Sequence, residues 1–139
     1  MPAIRRQINI ATSPRAVWNA LTTADGLAGW WAASARVEAR AGGRIVLVPI
    51  GNEDARAEGR GLIHLWRPTS HLEIAFDRVG ESELKGSLVA FKLARDGEET
   101  RLTLVHSGGD ALDDAERRLA LDKGWDKALA TLQAMLDKP

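Results

Sequence analysis

The chain contains no cysteine and no tyrosine, has only 2 phenylalanines, and carries no apolar run near the roughly 18 residues of a membrane-crossing helix. Without cysteine there is no disulfide framework, no thiolate nucleophile and no thiolate-ligated zinc, which fits a reducing compartment. Net charge is missing too. The 19 Lys and Arg residues balance 19 Asp and Glu, which removes the long-range pull toward DNA, RNA or anionic membranes. Any partner must therefore be recognised locally. Met1 to Arg6 lack the apolar segment of an export signal, so a cytoplasmic protein with no membrane insertion and no nucleic-acid partner is expected. What the chain does have is tryptophan, 5 copies in 139 residues. That length suits one domain over 1–139, burying roughly two-thirds of its unfolded surface.

Hydrophobic spacing lays out the elements. Ile4, Ile8 and Ile10 alternate with Arg5, Gln7 and Asn9, a strand with one wet face. Ser13-Pro14 supplies an N-cap and a first-turn proline, and Val17, Trp18 and Leu21 then share one face of a short helix. The glycine-rich stretch from Asp25 to Trp31 predicts a second short helix or turn, leading into a strand over 33–39. A turn at Ala41-Gly42-Gly43 opens a strand over 44–49, residues 51–55 read as a polar loop, and another strand covers 58–66. A four-residue loop at 67–70 would pair Ile63 with Ile74 and Leu65 with Leu72. It would set His64 against Glu73 on the wet face and leave Trp66 a partly covered surface aromatic.

The clearest hairpin signal is Asp96-Gly97, read as a two-residue turn between 87–95 and 98–106. It pairs Phe91 with Leu102, Val89 with Leu104 and Ser87 with His106 on the inner face, at the cost of opposing Lys92 and Arg101 outside. After Ser107-Gly108-Gly109 one helix of about 40 Å is expected over 112–138. Its start is crowded by Asp110, Asp113, Asp114 and Glu116, and its apolar stripe is Leu121, Trp125, Ala128, Leu129, Leu132 and Leu136. Only the apolar face of the strands can cover that stripe. The expected fold is thus α+β: a curved antiparallel sheet of six or seven strands wrapped around a long C-terminal helix, with two short helices after the first strand.

Six stretches carry a family resemblance: Ser13 to Leu21, Gly29-Trp30-Trp31, Gly42-Gly43-Arg44, Gly61 through Pro68 to Leu72, Thr100 to Gly108, and Gly124 to Leu129. Together they resemble the bacterial START-like (SRPBCC) proteins related to the C-terminal domain of the activator of Hsp90 ATPase, over essentially the whole chain. The resemblance implies the helix-grip fold and a cavity between sheet and helix, used in many relatives for an apolar or aromatic ligand. It supplies no catalytic motif, because the superfamily spans lipid binders, polyketide cyclases and co-chaperone domains.

The expected function is binding of a small hydrophobic or aromatic molecule in that cavity, with Trp30, Trp31, Ile63, Phe76, Phe91, Leu104 and Trp125 supplying surface and His106 a polar anchor. Each residue also has a plainer reading. Trp30 and Trp31 can stack on a ligand or pack beneath the short helices. His106 can bond a ligand or act as general base, or it can be a core histidine bonded to Ser87. Gly124, costly inside a helix, suggests a close approach of helix to sheet beside Trp125. Two alternatives stay open: a stress-related co-chaperone-type interaction module with a chaperone partner, and a cyclase- or isomerase-like enzyme using His106. No metal is expected from three histidines on different strands, and no cofactor from the absence of phosphate-cradling glycine motifs. A monomer and a homodimer are equally compatible with the residues.

Overall fold

The computed structural model describes residues 2–51 and 55–137. Strand β1 (Ala3–Ile10) leads into helices α1 (Pro14–Thr22) and α2 (Ala24–Leu27). Strands β2 (Ala32–Val37), β3 (Arg44–Pro49), β4 (Gly59–Arg67), β5 (His71–Phe76), β6 (Ser87–Asp96) and β7 (Glu99–Gly108) follow, then α3 (Asp110–Asp113) and α4 (Ala115–Leu136). The seven strands form one antiparallel sheet in the order β1-β7-β6-β5-β4-β3-β2. It curls into a half-barrel whose concave face holds the core and meets α4, the α+β arrangement expected from the sequence. The Ser13 hydroxyl caps α1 by accepting the Ala16 N–H at 3.2 Å. Residues 52–54 of the expected polar loop, and Lys138 at the expected helix end, lie outside the described residues.

Three local expectations are corrected. In the β6–β7 hairpin Asp96 pairs with Glu99, so the turn is Gly97-Glu98, with Gly97 at φ 62°. A positive φ at the first central residue only is the type II′ pattern, and glycine adopts it at the least cost there. Sliding the turn by one residue moves every cross-strand partner by two, so the faces are kept. His106 opposes Val89, and Phe91 opposes Leu104. The slide also removes the like-charge clash, since Lys92 now opposes Thr103 and Arg101 opposes Ala94.

In the β4–β5 hairpin Ile63 does pair with Ile74, but a bulge follows, and Leu65 then opposes Glu73 while Trp66 opposes Leu72. One extra residue reverses the face of everything beyond it. Trp66 thereby turns inward onto Trp18, ring centroids 5.1 Å apart at 63°, and Glu73 meets His71 at 2.9 Å rather than His64. The single long helix is also divided. Asp114 is extended, and its carboxylate accepts the N–H groups of Glu116 at 3.0 Å and Arg117 at 3.1 Å, so it caps α4 instead of continuing α3.

Helix α4 is fastened to one flank of the sheet. Arg6 shares inner-face parity with Ile4 and Ile8 on β1 and reaches both Asp122 and Asp126, one turn apart on α4. Farther along, Gln133 donates to the Asn9 carbonyl at 2.6 Å, and the Asp137 carboxylate accepts the Ala11 N–H at 2.8 Å. Replacing Arg6 with Met leaves two carboxylates facing each other without a cation. After allowing for solvent screening of these partly exposed groups, Arg6→Met is expected to cost about 1 kcal/mol in urea unfolding at low salt and less at high salt. Equal stability of variant and parent at low salt would show that the flank is held by packing alone.

Candidate functional site

On the other flank α4 stands away from the sheet. A cavity of about 640 Å³ lies between it and the β3–β4 side, within the size range of small-molecule sites. Leu47 and Pro49 of β3, Ile50 just beyond it and Gly59 of β4 form the sheet wall, residues 81–84 form one rim, and Trp30 and Trp31 border the interior. The helix wall is made of small side chains at four-residue spacing, Ala120, Gly124 and Ala128, with Leu121, Trp125, Lys127 and Thr131 beside them. A Cβ built on Gly124 would find no heavy atom within 4 Å. The close helix-to-sheet approach expected there is therefore corrected: the missing side chain widens the cavity.

Three of the sequence-predicted residues, Trp30, Trp31 and Trp125, line this space. Trp30 is 2% exposed and its indole N–H is spent on the carbonyls of Gly26 at 2.9 Å and Ala20 at 3.2 Å, which lock it beneath the short helices. Trp31 is the more open ring. It lies on an aromatic bed, with centroids 5.2 Å from Trp125, 5.7 Å from Phe91 and 6.2 Å from Phe76. Ile63, Phe76, Phe91, Leu104 and His106 are not in the lining; they form the packed layer of the sheet.

Sequence reasoning missed Leu47, Ile50, Leu84 and the small-residue helix face. The Ala120-Gly124-Ala128 spacing was the available signal, because small residues repeated along one helix face leave room opposite them. At the rim Arg117 donates two hydrogen bonds to Glu83, at 3.0 and 3.2 Å, tying the start of α4 to the segment before β6. Among the described residues no group of three or more His, Asp or Glu side chains is gathered as a metal-ligand set. No helix among them is long and apolar enough to cross a membrane.

His106 is fully buried and its ring is used on both edges. The Trp125 indole N–H donates to Nδ1 at 3.0 Å, which places the imidazole proton on Nε2. Nε2 in turn donates to Ser87 Oγ at 2.9 Å, and the Ser87 hydroxyl donates to the Leu84 carbonyl at 2.6 Å. Every donor in this chain has an acceptor, which removes the cost of burying polar groups. Neither lone pair nor proton is left for a substrate, so no acid/base group is available at this position. The expected pairing partner, Ser87, is the bonding partner even though the strand register opposes it to Gly108.

Burial away from water pushes the His106 pKa down from 6.5 to about 4. The unfolded chain then takes up the proton first as the pH falls. Stability is full above pH 6.5 and declines toward pH 4, by about 3 kcal/mol from this group. Urea unfolding across that window is expected to show this slope in the parent and lose it in His106→Gln, which is itself destabilised at neutral pH. A His106 ring that titrates near 6.5 by NMR would contradict the assignment.

Comparison with known proteins agrees with this architecture. The family model for "Activator of Hsp90 ATPase homolog 1-like protein" matches residues 11–137. The fold superposes on the Aha1 dimer of Colwellia psychrerythraea with a TM-score of 0.79 at 22% identity, covering 99% of this chain and 97% of that one. A protein of Bacillus halodurans gives 0.77 at 22%, covering 99% and 98%. CalU16 of Micromonospora echinospora gives 0.73 at 24%, covering 99% of this chain and 76% of that one. No curated protein sequence matches the chain. The family match over residues 11–137, with the fold in agreement, makes this chain a member of the activator of Hsp90 ATPase homolog 1-like family, within the START-like superfamily.

Proposed function

We propose that this protein binds a small hydrophobic or aromatic molecule in the cleft between α4 and the β3–β4 side of the sheet, acting in the cytoplasm. The observation that carries the reading is Gly124. A glycine in a helix interior costs about 1 kcal/mol relative to alanine, and here no neighbouring atom demands it. Its effect is to keep the helix wall open beside Trp31 and Trp125, whose rings offer flat apolar surface to a ligand. Trp30 borders the same space from its locked position, and Ile63, Phe76, Phe91 and Leu104 act as the rigid layer behind it. His106 serves by holding Trp125 in place.

A second reading follows from the family description: association with an Hsp90-type chaperone. It predicts faster ATP turnover by such a chaperone when this protein is added, and unchanged turnover at saturation would end it. For the leading reading, the fluorescence of phenylnaphthylamine, a neutral apolar dye, reports occupancy. The parent is expected to bind it, Gly124→Ala to bind it while gaining up to about 1 kcal/mol of stability, and Gly124→Phe to lose at least tenfold in affinity. Undiminished binding by a folded Gly124→Phe variant would overturn the reading.

A further inference from the structure

We infer that the molecule held in this cleft is an anionic amphiphile, an apolar body ending in a carboxylate or similar acid, whose charged end lies against Lys127. This deepens the proposed ligand reading and rests on it. Most polar groups on the cavity wall already have partners within the protein.

The acids are used. Glu83 accepts two hydrogen bonds from Arg117, and Glu81 lies 4.0 Å from Arg56. Thr131 is used as a donor, since its hydroxyl gives its proton to the Lys127 carbonyl at 2.9 Å. Three side chains in the lining remain with hydrogens to give, one of them the Trp31 indole N–H, which has no acceptor among the described residues. Among the described residues, the Lys127 ammonium has no ion-pair or hydrogen-bond partner, although the helix brings it to the same wall as Gly124 and Ala128. Ser82 Oγ accepts the Leu84 N–H at 3.1 Å, and its own hydrogen has no acceptor. Away from the two rim acids, Glu81 and Glu83, the unspent capacity of the wall is therefore that of a donor set carrying one positive charge, and its complement is an acceptor carrying a negative one.

The geometry gives such a ligand a direction. The aromatic bed of Trp31 and Trp125 suits its apolar body, and Lys127, exposed on α4, holds its charge where water still reaches it. Keeping the acid at the wet edge avoids burying a charge without full compensation.

A matched pair of dyes tests this. Anilinonaphthalene sulfonate and phenylnaphthylamine share one aromatic framework and differ by the anionic group. With the parent, raising the salt is expected to weaken the sulfonate and leave the neutral dye unchanged. Lys127→Met keeps the apolar stem and removes the charge. It is expected to weaken the sulfonate three- to tenfold more than the neutral dye, and Lys127→Arg is expected to restore the sulfonate. Lys127 is on the surface, so both variants are expected to keep the parent's circular dichroism. If Lys127→Met leaves the sulfonate unchanged, or weakens both dyes alike, the inference falls while the cleft stays a ligand site. If Gly124→Phe and Gly124→Leu, both folded, leave both dyes bound as in the parent, the ligand reading itself falls.

Discussion

The hydrogen bond from the Trp125 indole to His106 joins the C-terminal helix to strand β7 through the core, and the rest of the arrangement depends on what that bond demands. It requires a neutral imidazole with its proton on Nε2, and that proton requires Ser87, whose own hydrogen goes to the Leu84 carbonyl. The chain thus runs from α4 through β7 and β6 into the segment that forms the rim of the cleft. A fully buried histidine is tolerable only because each of these groups is paired. Removing one member strands the others, which is why this residue is a poor candidate for chemistry and a good one for fixing where Trp125 sits.

From that fixed point the two flanks of α4 diverge. Toward β1 the helix is held by Arg6, Gln133 and Asp137, all polar contacts near the sheet edge. Toward β3 and β4 it presents Ala120, Gly124 and Ala128, which fill little space. A helix gripped along one side and spare along the other leaves a cleft on the spare side. Trp31 closes part of it, resting on Trp125, Phe91 and Phe76, so the wall of the site and the core share the same rings. Changes in the cleft are coupled to packing beneath it through those rings.

The inner faces of the strands were legible because a period of two survives small errors in register. The β6–β7 turn slid by one residue, yet Phe91, Leu104 and His106 still point inward. The β4–β5 bulge was not legible, since nothing in Ile63-His64-Leu65-Trp66 marks the extra residue, and it took Trp66 to the opposite face. The partner of Arg6 was half legible: its parity with Ile4 and Ile8 and the i, i+4 spacing of Asp122 and Asp126 are both in the sequence. What joins them is the direction of α4 across β1, a tertiary fact. The cost of Gly124 was legible but its reason was not, because a glycine that permits contact and one that preserves space look alike until neighbours are in place.

The proposed function puts the ligand in the cleft beside Gly124 and keeps His106 behind the wall. A ¹⁵N NMR titration of the labelled protein with phenylnaphthylamine addresses both halves at once. Shifts are expected to concentrate at the Gly124 and Ala128 amides and the Trp31 indole, with the His106 ring nitrogens keeping the pattern of a neutral imidazole protonated on Nε2. Shifts at the His106 ring with Gly124 and Ala128 undisturbed would contradict this placement.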